Sequence, residues 1–131
     1  MTTPSPAERD TLLTAFSKAL FRRDVAAVYR TVTPDFVWRL PIGPDAPVAR
    51  EIASPEALAA YFDERERMYD GMRFHDVAYH HAPEATFMTF RITAKRKDGG
   101  AAVDALGMER YLFRDGRIAL KDAYWKRIAG E

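Results

Sequence analysis

A hairpin signal near the carboxyl end constrains the fold of this chain more than any other feature. In residues 107–125, two runs in which apolar and aromatic residues are interspersed with charged ones are joined by the dipeptide Asp115-Gly116. Asp-Gly between two such runs is one of the strongest short-range signals for a β-hairpin. The sequence therefore predicts two antiparallel strands that bring charged side chains onto an otherwise apolar sheet face.

The length of this turn decides which side chains face each other. A two-residue turn places Glu109 opposite Asp122. If Arg114 joins the loop and Gly116 adopts a left-handed conformation in a bulge, Glu109 instead lies opposite Lys121. A carboxylate beside another carboxylate tends to have a raised pKa suited to acid chemistry, whereas one beside an ammonium stays ionised. The residues of the hairpin alone leave both registers open.

Three helices are predicted in the amino-terminal half. Ser5 and Ser54 each precede a proline, which is the pattern of a serine N-cap followed by proline at the first helical position, and apolar residues follow at helical spacing. Asp24 can cap a shorter helix between them. The predicted strands are 36–40, 48–53, 73–81, 86–95, 102–113 and 118–127, with a loop at 41–47 and Gly71 as the C-cap of the third helix. This order predicts an α+β fold with helices on one face of a curved, mostly antiparallel sheet.

Composition limits the kinds of partner. The 131 residues fit one domain, 1–131, and 20 Lys+Arg against 19 Asp+Glu give a net charge of +1, so no basic excess favours nucleic acid or an anionic membrane. There are 0 cysteines, hence no disulfide framework and no thiol nucleophile. No apolar run approaches the ~20 residues of a membrane span. Because the first residues lack signal-peptide features, the expected location is cytoplasmic.

Three motifs and the order of the elements carry a family resemblance. The motifs are Thr-Pro-Asp-Phe-Val-Trp after the second helix, Ser-Pro-Glu-Ala-Leu at the start of the third, and Phe-Arg-Asp-Gly-Arg-Ile near the carboxyl end. The chain resembles the nuclear transport factor 2-like (NTF2-like) superfamily, within it the SnoaL-like and ketosteroid isomerase-like branch. The resemblance implies a cystatin-like cone of helices and curved sheet that encloses an apolar pocket and often dimerises through the sheet. Members include isomerases, polyketide cyclases, epoxide hydrolases and non-catalytic binders.

Most catalytic positions of those relatives match apolar residues here. The oxyanion-binding tyrosine of ketosteroid isomerases matches Phe16, the general-base aspartate matches Leu40, and the second acid matches Glu109. The acid and base positions of epoxide hydrolase-like members match the strand Phe90–Ile92 and Ala123, and the base of SnoaL-like cyclases also matches Ala123. Only Glu109 keeps a group that can transfer a proton.

The resemblance places Glu109, Lys121, Ala123 and Trp125 on the pocket side, which favours the bulged register and an ion pair. The predicted chemistry is proton transfer next to a carbonyl, with Glu109 as acid or base and Tyr111 or Lys121 polarising the oxygen. The predicted ligand is a small apolar or aromatic molecule, bound without metal or cofactor. The predicted ligand-binding residues are Phe16, Trp38, Leu40, Tyr61, Phe62, Met88, Phe90, Ile92, Ala123 and Trp125.

Structural interpretations compete with these functional ones. Glu109 is also explained as a structural partner of Lys121 or Arg110, and the aromatic residues as filled core. Asp104 and Asp122 are expected to face solvent, as is the charged run 65–67. His80 and His81 point to opposite faces of a strand, so they do not predict a metal site. The alternative function is therefore a non-catalytic binding module, or one that dimerises through the outer sheet residues Met108, Leu112, Leu120 and Tyr124.

Overall fold

The computed structural model of the protein describes residues 3–100 and 102–126. Three helices and six strands follow one another as α1 (Pro6–Phe21), α2 (Val25–Thr31), β1 (Val32–Asp45), β2 (Ala49–Ile52), α3 (Pro55–Met68), β3 (Tyr69–His81), β4 (Thr86–Arg96), β5 (Ala102–Arg114) and β6 (Arg117–Lys126). The predicted α+β order is confirmed. Residue 127, the predicted end of the last strand, lies outside the described residues. No helix in the described part of the chain has both the length and the apolar character needed to cross a membrane.

The predicted helix starts are confirmed by their caps. The Ser5 hydroxyl accepts from the backbone N–H of Glu8 at 3.2 Å, and the Glu8 carboxylate accepts from the Ser5 N–H at 2.8 Å, which completes a capping box. Asp24 and Ser54 each accept one backbone N–H in the first turn of α2 and α3, both at 3.1 Å. Because these groups satisfy donors that helix geometry leaves free, each helix has a defined start.

The six strands form one mixed sheet in the order β2-β1-β6-β5-β4-β3. The β1–β6 pair is parallel and all the other pairs are antiparallel. Apolar residues from the helices and from one face of the sheet form the core, among them Leu13, Phe16, Val28, Phe36 and Ile118. The three helices thus cover one face of a mostly antiparallel sheet, as predicted.

Several predicted boundaries are wrong, among them the start of β1, at Val32 rather than 36, and the start of β3, at Tyr69 rather than 73. Residues 41–45 belong to β1 rather than to a loop, because the pairing with β2 shifts register between Leu40 and Asp45, and such a bulge accommodates prolines in a strand near the sheet edge. Gly71 does not cap α3, which ends at Met68. Its left-handed backbone, with φ of 62°, serves a bulge in β3 instead.

The hairpin combines features of both predicted registers. Asp115 and Gly116 have φ of 54° and 74°, as in a two-residue type I′ turn, so Phe113 pairs with Ile118. Ala119 is then an extra residue in β6, because the next pair is Leu112 with Leu120.

This bulge decides which face each later residue of β6 occupies. Glu109 lies directly opposite Ala123, so the residue opposite Glu109 is neither Asp122 nor Lys121, the two that were predicted. Lys121 lies opposite Tyr111 and is therefore the diagonal neighbour of Glu109 on the same face. The ion pair expected from the family resemblance forms across this diagonal, and Asp122 turns to the other face.

A buried arginine joins α1 to the turn between β3 and β4. Arg9 is 3% exposed, and its guanidinium lies 5.1 Å from the ring centroid of Phe113. Its N–H groups donate to the carbonyls of Pro4, Ala82, Pro83 and Ala85 and to the Thr86 hydroxyl, at distances between 2.6 and 3.2 Å. Arg9 thus supplies donors to three carbonyls of this turn, one of which, that of Ala85, also accepts the backbone N–H of Ala82 at 2.8 Å.

Candidate functional site

A cavity of about 590 Å³ lies between the helices and the inner sheet face. Its walls come from α1, α3 and β1 to β6, and most of the predicted site residues line it: Trp38, Leu40, Tyr61, Met88, Ile92, Glu109, Tyr111, Lys121, Ala123 and Trp125. A pocket of this size is in the range that accepts a small organic molecule. The cavity therefore lies beside seven of the ten predicted ligand-binding residues.

Three predicted ligand-binding residues do not line this cavity. Phe16 packs edge-on against Phe36 and Tyr111, with ring centroids 5.9 and 6.1 Å apart, so its ring belongs to the core. Phe62 is 3% exposed and belongs to the same core. Phe90 covers Gly107 so closely that a Cβ added to Gly107 would lie 2.3 Å from the ring. Its ring fills the space that a side chain on β5 would take.

Glu109 is the centre of the polar part of the cavity. The Tyr111 hydroxyl donates to one carboxylate oxygen of Glu109 at 2.5 Å. The Lys121 ammonium lies 3.4 Å from the other oxygen. All three side chains are buried, with exposures of 1% for Tyr111, 4% for Glu109 and 5% for Lys121. The strand period explains this arrangement, since Glu109 and Tyr111 are two residues apart on one strand and Lys121 faces them from the next.

The surroundings of Lys121 combine desolvation with two kinds of attraction. Burial lowers the pKa of Lys121 below its usual range, and the negative charge of Glu109 opposes this shift. Its Nζ lies 4.3 Å from the ring centroid of Trp38 and 5.3 Å from that of Phe16, as in cation–π contacts. Burial also raises the pKa of Tyr111 well above its usual value, and Glu109 adds to that shift. Tyr111 therefore keeps its proton and remains a hydrogen-bond donor.

The lowered pKa of Lys121 predicts a dependence of stability on pH. Between that pKa and 10.5, the unfolded chain holds the lysine proton and the folded protein does not. The free energy of unfolding therefore gains a positive slope with pH in this window, because stability rises with pH wherever the unfolded state binds more protons. Urea denaturation from pH 7 to 9.5 should show this slope in the wild type relative to Lys121→Met. Equal slopes in the two proteins would contradict the shift.

A second group of charges lies around α3. Arg50 and Glu64 form a bidentate pair with both distances 2.9 Å, and Arg96 pairs with Asp98 at 2.7 Å. Arg65 also lines the cavity, although the charged run 65–67 was expected to face solvent. The sequence did contain a signal for this position. Arg65 follows the cavity residue Tyr61 by four positions, and residues at that spacing lie on the same face of a helix.

The outer sheet face contains a carboxylate that was also expected in solvent. Asp122 is 5% exposed, and the expectation is wrong because three side chains cover it. Arg110 lies 3.3 Å from its carboxylate and Arg39 4.0 Å, and the Tyr124 hydroxyl donates to it at 3.0 Å. Asp104 is exposed and pairs with Arg91, as expected of a surface residue.

The histidines contact threonines rather than one another. His75, His80 and His81 hydrogen-bond to Thr93, Thr89 and Thr86, and His81 also contacts Asp10 at 2.8 Å. Within residues 3–100 and 102–126, no group of three or more His, Asp or Glu side chains is placed to hold a metal ion.

Comparison with known proteins identifies the family. Residues 13–121 match the model of the SnoaL-like domain, and the chain therefore belongs to the SnoaL-like family. No curated protein matches the chain.

Solved structures share this fold at low sequence identity. An NTF2-like protein from Burkholderia xenovorans is 18% identical, with a TM-score of 0.78 over 93% of this chain and 92% of that one. A candidate polyketide cyclase from Xanthomonas campestris is 17% identical, with a TM-score of 0.72 over 92% and 91%. A candidate isomerase from Bacillus subtilis is 15% identical, with a TM-score of 0.70 over 92% and 87%. These likenesses establish the NTF2-like, ketosteroid isomerase-like fold of the chain.

Proposed function

We propose that the cavity binds a small, mainly apolar molecule that contains a carbonyl group, and that Glu109 transfers a proton next to that carbonyl. The observation that carries this proposal is the burial of a carboxylate, a phenol and an ammonium together on the wall of a cavity whose other lining residues are mainly apolar. Buried polar groups in such a cavity are expensive unless they pair, and these pair while facing the space that a ligand would fill.

In the proposed reaction each group has a separate role. The Glu109 carboxylate takes the proton from a carbon next to the carbonyl; the electron pair of the broken C–H bond forms the C=C bond of an enolate, and the π pair of the C=O bond moves onto the oxygen. Lys121 donates a hydrogen bond to that oxygen as negative charge develops there. Tyr111 is a positioning residue, because its hydroxyl holds one oxygen of Glu109. Return of the proton to another carbon completes an isomerisation, and attack of the enolate on a second carbonyl starts a cyclisation.

The names of the structural neighbours support this reaction class, since a candidate polyketide cyclase and a candidate isomerase share the fold. The proposed chemistry needs no cofactor. We also propose a cytoplasmic protein that dimerises through the outer sheet face, where Met108 is 37% and Tyr124 53% exposed. Apolar side chains that are exposed together on one sheet face suit an interface with a second copy of the chain.

Exchange of carbon-bound hydrogen for deuterium tests the proton transfer without knowledge of the product. Aryl ketones and 1,3-diketones incubated with the protein in D₂O should exchange at the carbon next to the carbonyl, followed by NMR. Glu109→Gln is expected to slow the exchange by about 10²- to 10⁴-fold, the usual contribution of a general base. Glu84→Gln, in the exposed β3–β4 turn, is the matched control and should exchange like the wild type. Equal rates in the wild type and Glu109→Gln would contradict the catalytic role.

A non-catalytic binding module is the second candidate. Both oxygens of Glu109 already have partners in Tyr111 and Lys121, which is also what a purely structural pair requires. Binding of the same ketones by the wild type without any exchange would favour this alternative over catalysis.

A further inference from the structure

Within the part of the chain that the structure describes, one cation of the cavity wall has no carboxylate in salt-bridge contact. Its charged residues are Arg50, Glu64, Arg65, Arg96, Glu109 and Lys121. Glu64 uses both oxygens for Arg50, Glu109 pairs with Lys121, and Arg96 pairs with Asp98. Among residues 3–100 and 102–126, no carboxylate forms a salt bridge with Arg65.

Aromatic rings hold the Arg65 guanidinium against the wall. It lies 5.6 Å from the ring centroid of Tyr61 and 5.9 Å from that of Phe62. Tyr61 in turn packs edge-on against Trp38, with centroids 5.2 Å apart, and Lys121 lies over the other ring of that pair. Arg65 is therefore connected to the Glu109 group by continuous side-chain packing.

Arg65 and Lys121, two of the four cations on this wall, act on each other. The charge of Arg65 adds to the lowering of the pKa of Lys121, as expected for like charges that share a region of low dielectric. A negative group that enters the cavity would be attracted by both cations. It would also have in Arg65 a planar donor group suited to bind a carboxylate or a similar oxyanion.

We propose that the ligand is a monoanion, with an apolar body and one carboxylate-like group held by Arg65, while its carbonyl end reaches Glu109 and Lys121. This inference rests on the proposed function, because it assumes that the cavity binds a ligand. It narrows the ligand class from apolar carbonyl compounds to keto acids and similar anions.

Two fluorescent probes that differ by one charged group test the inference. The anion 8-anilinonaphthalene-1-sulfonate and the neutral N-phenyl-1-naphthylamine share the same aromatic body, and both increase in fluorescence in apolar sites. Arg65→Gln should weaken binding of the sulfonate by about tenfold, which corresponds to about 1.4 kcal/mol, and binding of the neutral probe less than twofold. Arg67→Gln is the matched control, because Arg67 is an exposed arginine of the same helix outside the cavity wall.

A cavity-filling substitution locates the probes. Ala123→Phe adds a ring to the cavity wall. If the probes occupy this cavity, the substitution should weaken the binding of both. If both probes bind in the cavity and Arg65→Gln changes their affinities equally or not at all, the proposed preference for anions is wrong, but the proposal that the cavity binds ligands is not contradicted. If neither probe binds the wild type, or Ala123→Phe weakens neither, ligand binding in the cavity is contradicted, and the anion preference with it.

Discussion

Replacing Glu109 with leucine is expected to destabilise the protein by about 3–5 kcal/mol, the usual cost of removing one partner of a buried ion pair. The substitution leaves the Lys121 ammonium buried without its carboxylate and the Tyr111 hydroxyl without its acceptor. Adding Lys121→Met should recover most of the loss, since the buried charge is then gone. Urea denaturation of the wild type, both single variants and the double variant gives the coupling free energy.

An exposed ion pair on the outer sheet face is the control for this cycle. Arg91 of β4 and Asp104 of β5 are diagonal neighbours that form a bidentate pair, with both side chains about half exposed. The same cycle on this pair should give a coupling of about 1 kcal/mol or less, because solvent screens it. A coupling between Glu109 and Lys121 no larger than that of the exposed pair would contradict their burial as an ion pair.

Replacing Arg9 with methionine is expected to cost a similar amount, about 3–5 kcal/mol, because five charge-assisted hydrogen bonds are lost and the buried Ala85 carbonyl and Thr86 hydroxyl lose a donor. The affected carbonyls lie in the β3–β4 turn, which the side chain of Arg9 joins to α1. Lysine at this position keeps the charge but lacks the planar donor group, so Arg9→Lys should recover only part of the loss.

The control for Arg9 is an arginine of the same region with an exposed side chain. Arg22 follows the last turn of α1 and is exposed, so Arg22→Met should change the free energy of unfolding by about 0.5 kcal/mol or less. Guanidinium denaturation of these variants provides the comparison. Equal stabilities of Arg9→Met and Arg22→Met would contradict a structural role for the buried hydrogen bonds.

The parts of the fold that depend on neighbouring residues were predictable from the sequence. The caps at Ser5, Asp24 and Ser54 and the turn at Asp115-Gly116 need only a few adjacent residues, and the structure confirms all of them. The bulge in β6 was not predictable from the hairpin alone. It depends on which face of the strand the core can accept, and that involves the whole sheet.

Many of the residues that line the cavity were predicted from the sequence, but the contacts that each of them makes were not. Strand alternation correctly places Glu109 and Tyr111 on one face of β5, whereas Lys121 was expected beside Glu109 only from the family resemblance. Alternation put Phe90 on the same face as the cavity residues Met88 and Ile92 and could not show that its ring packs elsewhere. Only the contact with Gly107 reveals that the ring of Phe90 is used for packing. The position of Arg65 on the cavity wall was missed for a related reason, since charge alone favours a surface position and the cavity is formed by several elements.

The single extra residue at Ala119 also bears on how relatives of this protein should be aligned. Every position of β6 after Ala119 faces opposite to where an unbulged hairpin would put it. In a relative that lacks the extra residue, the residues aligned without a gap to Asp122 and Tyr124 would face the cavity. In this protein, Asp122 and Tyr124 lie on the outer face. The three structural neighbours named above are no more than 18% identical to this chain. Whether a relative shares this site therefore has to be judged from the number of residues between the hairpin turn and the site, as well as from the residue types.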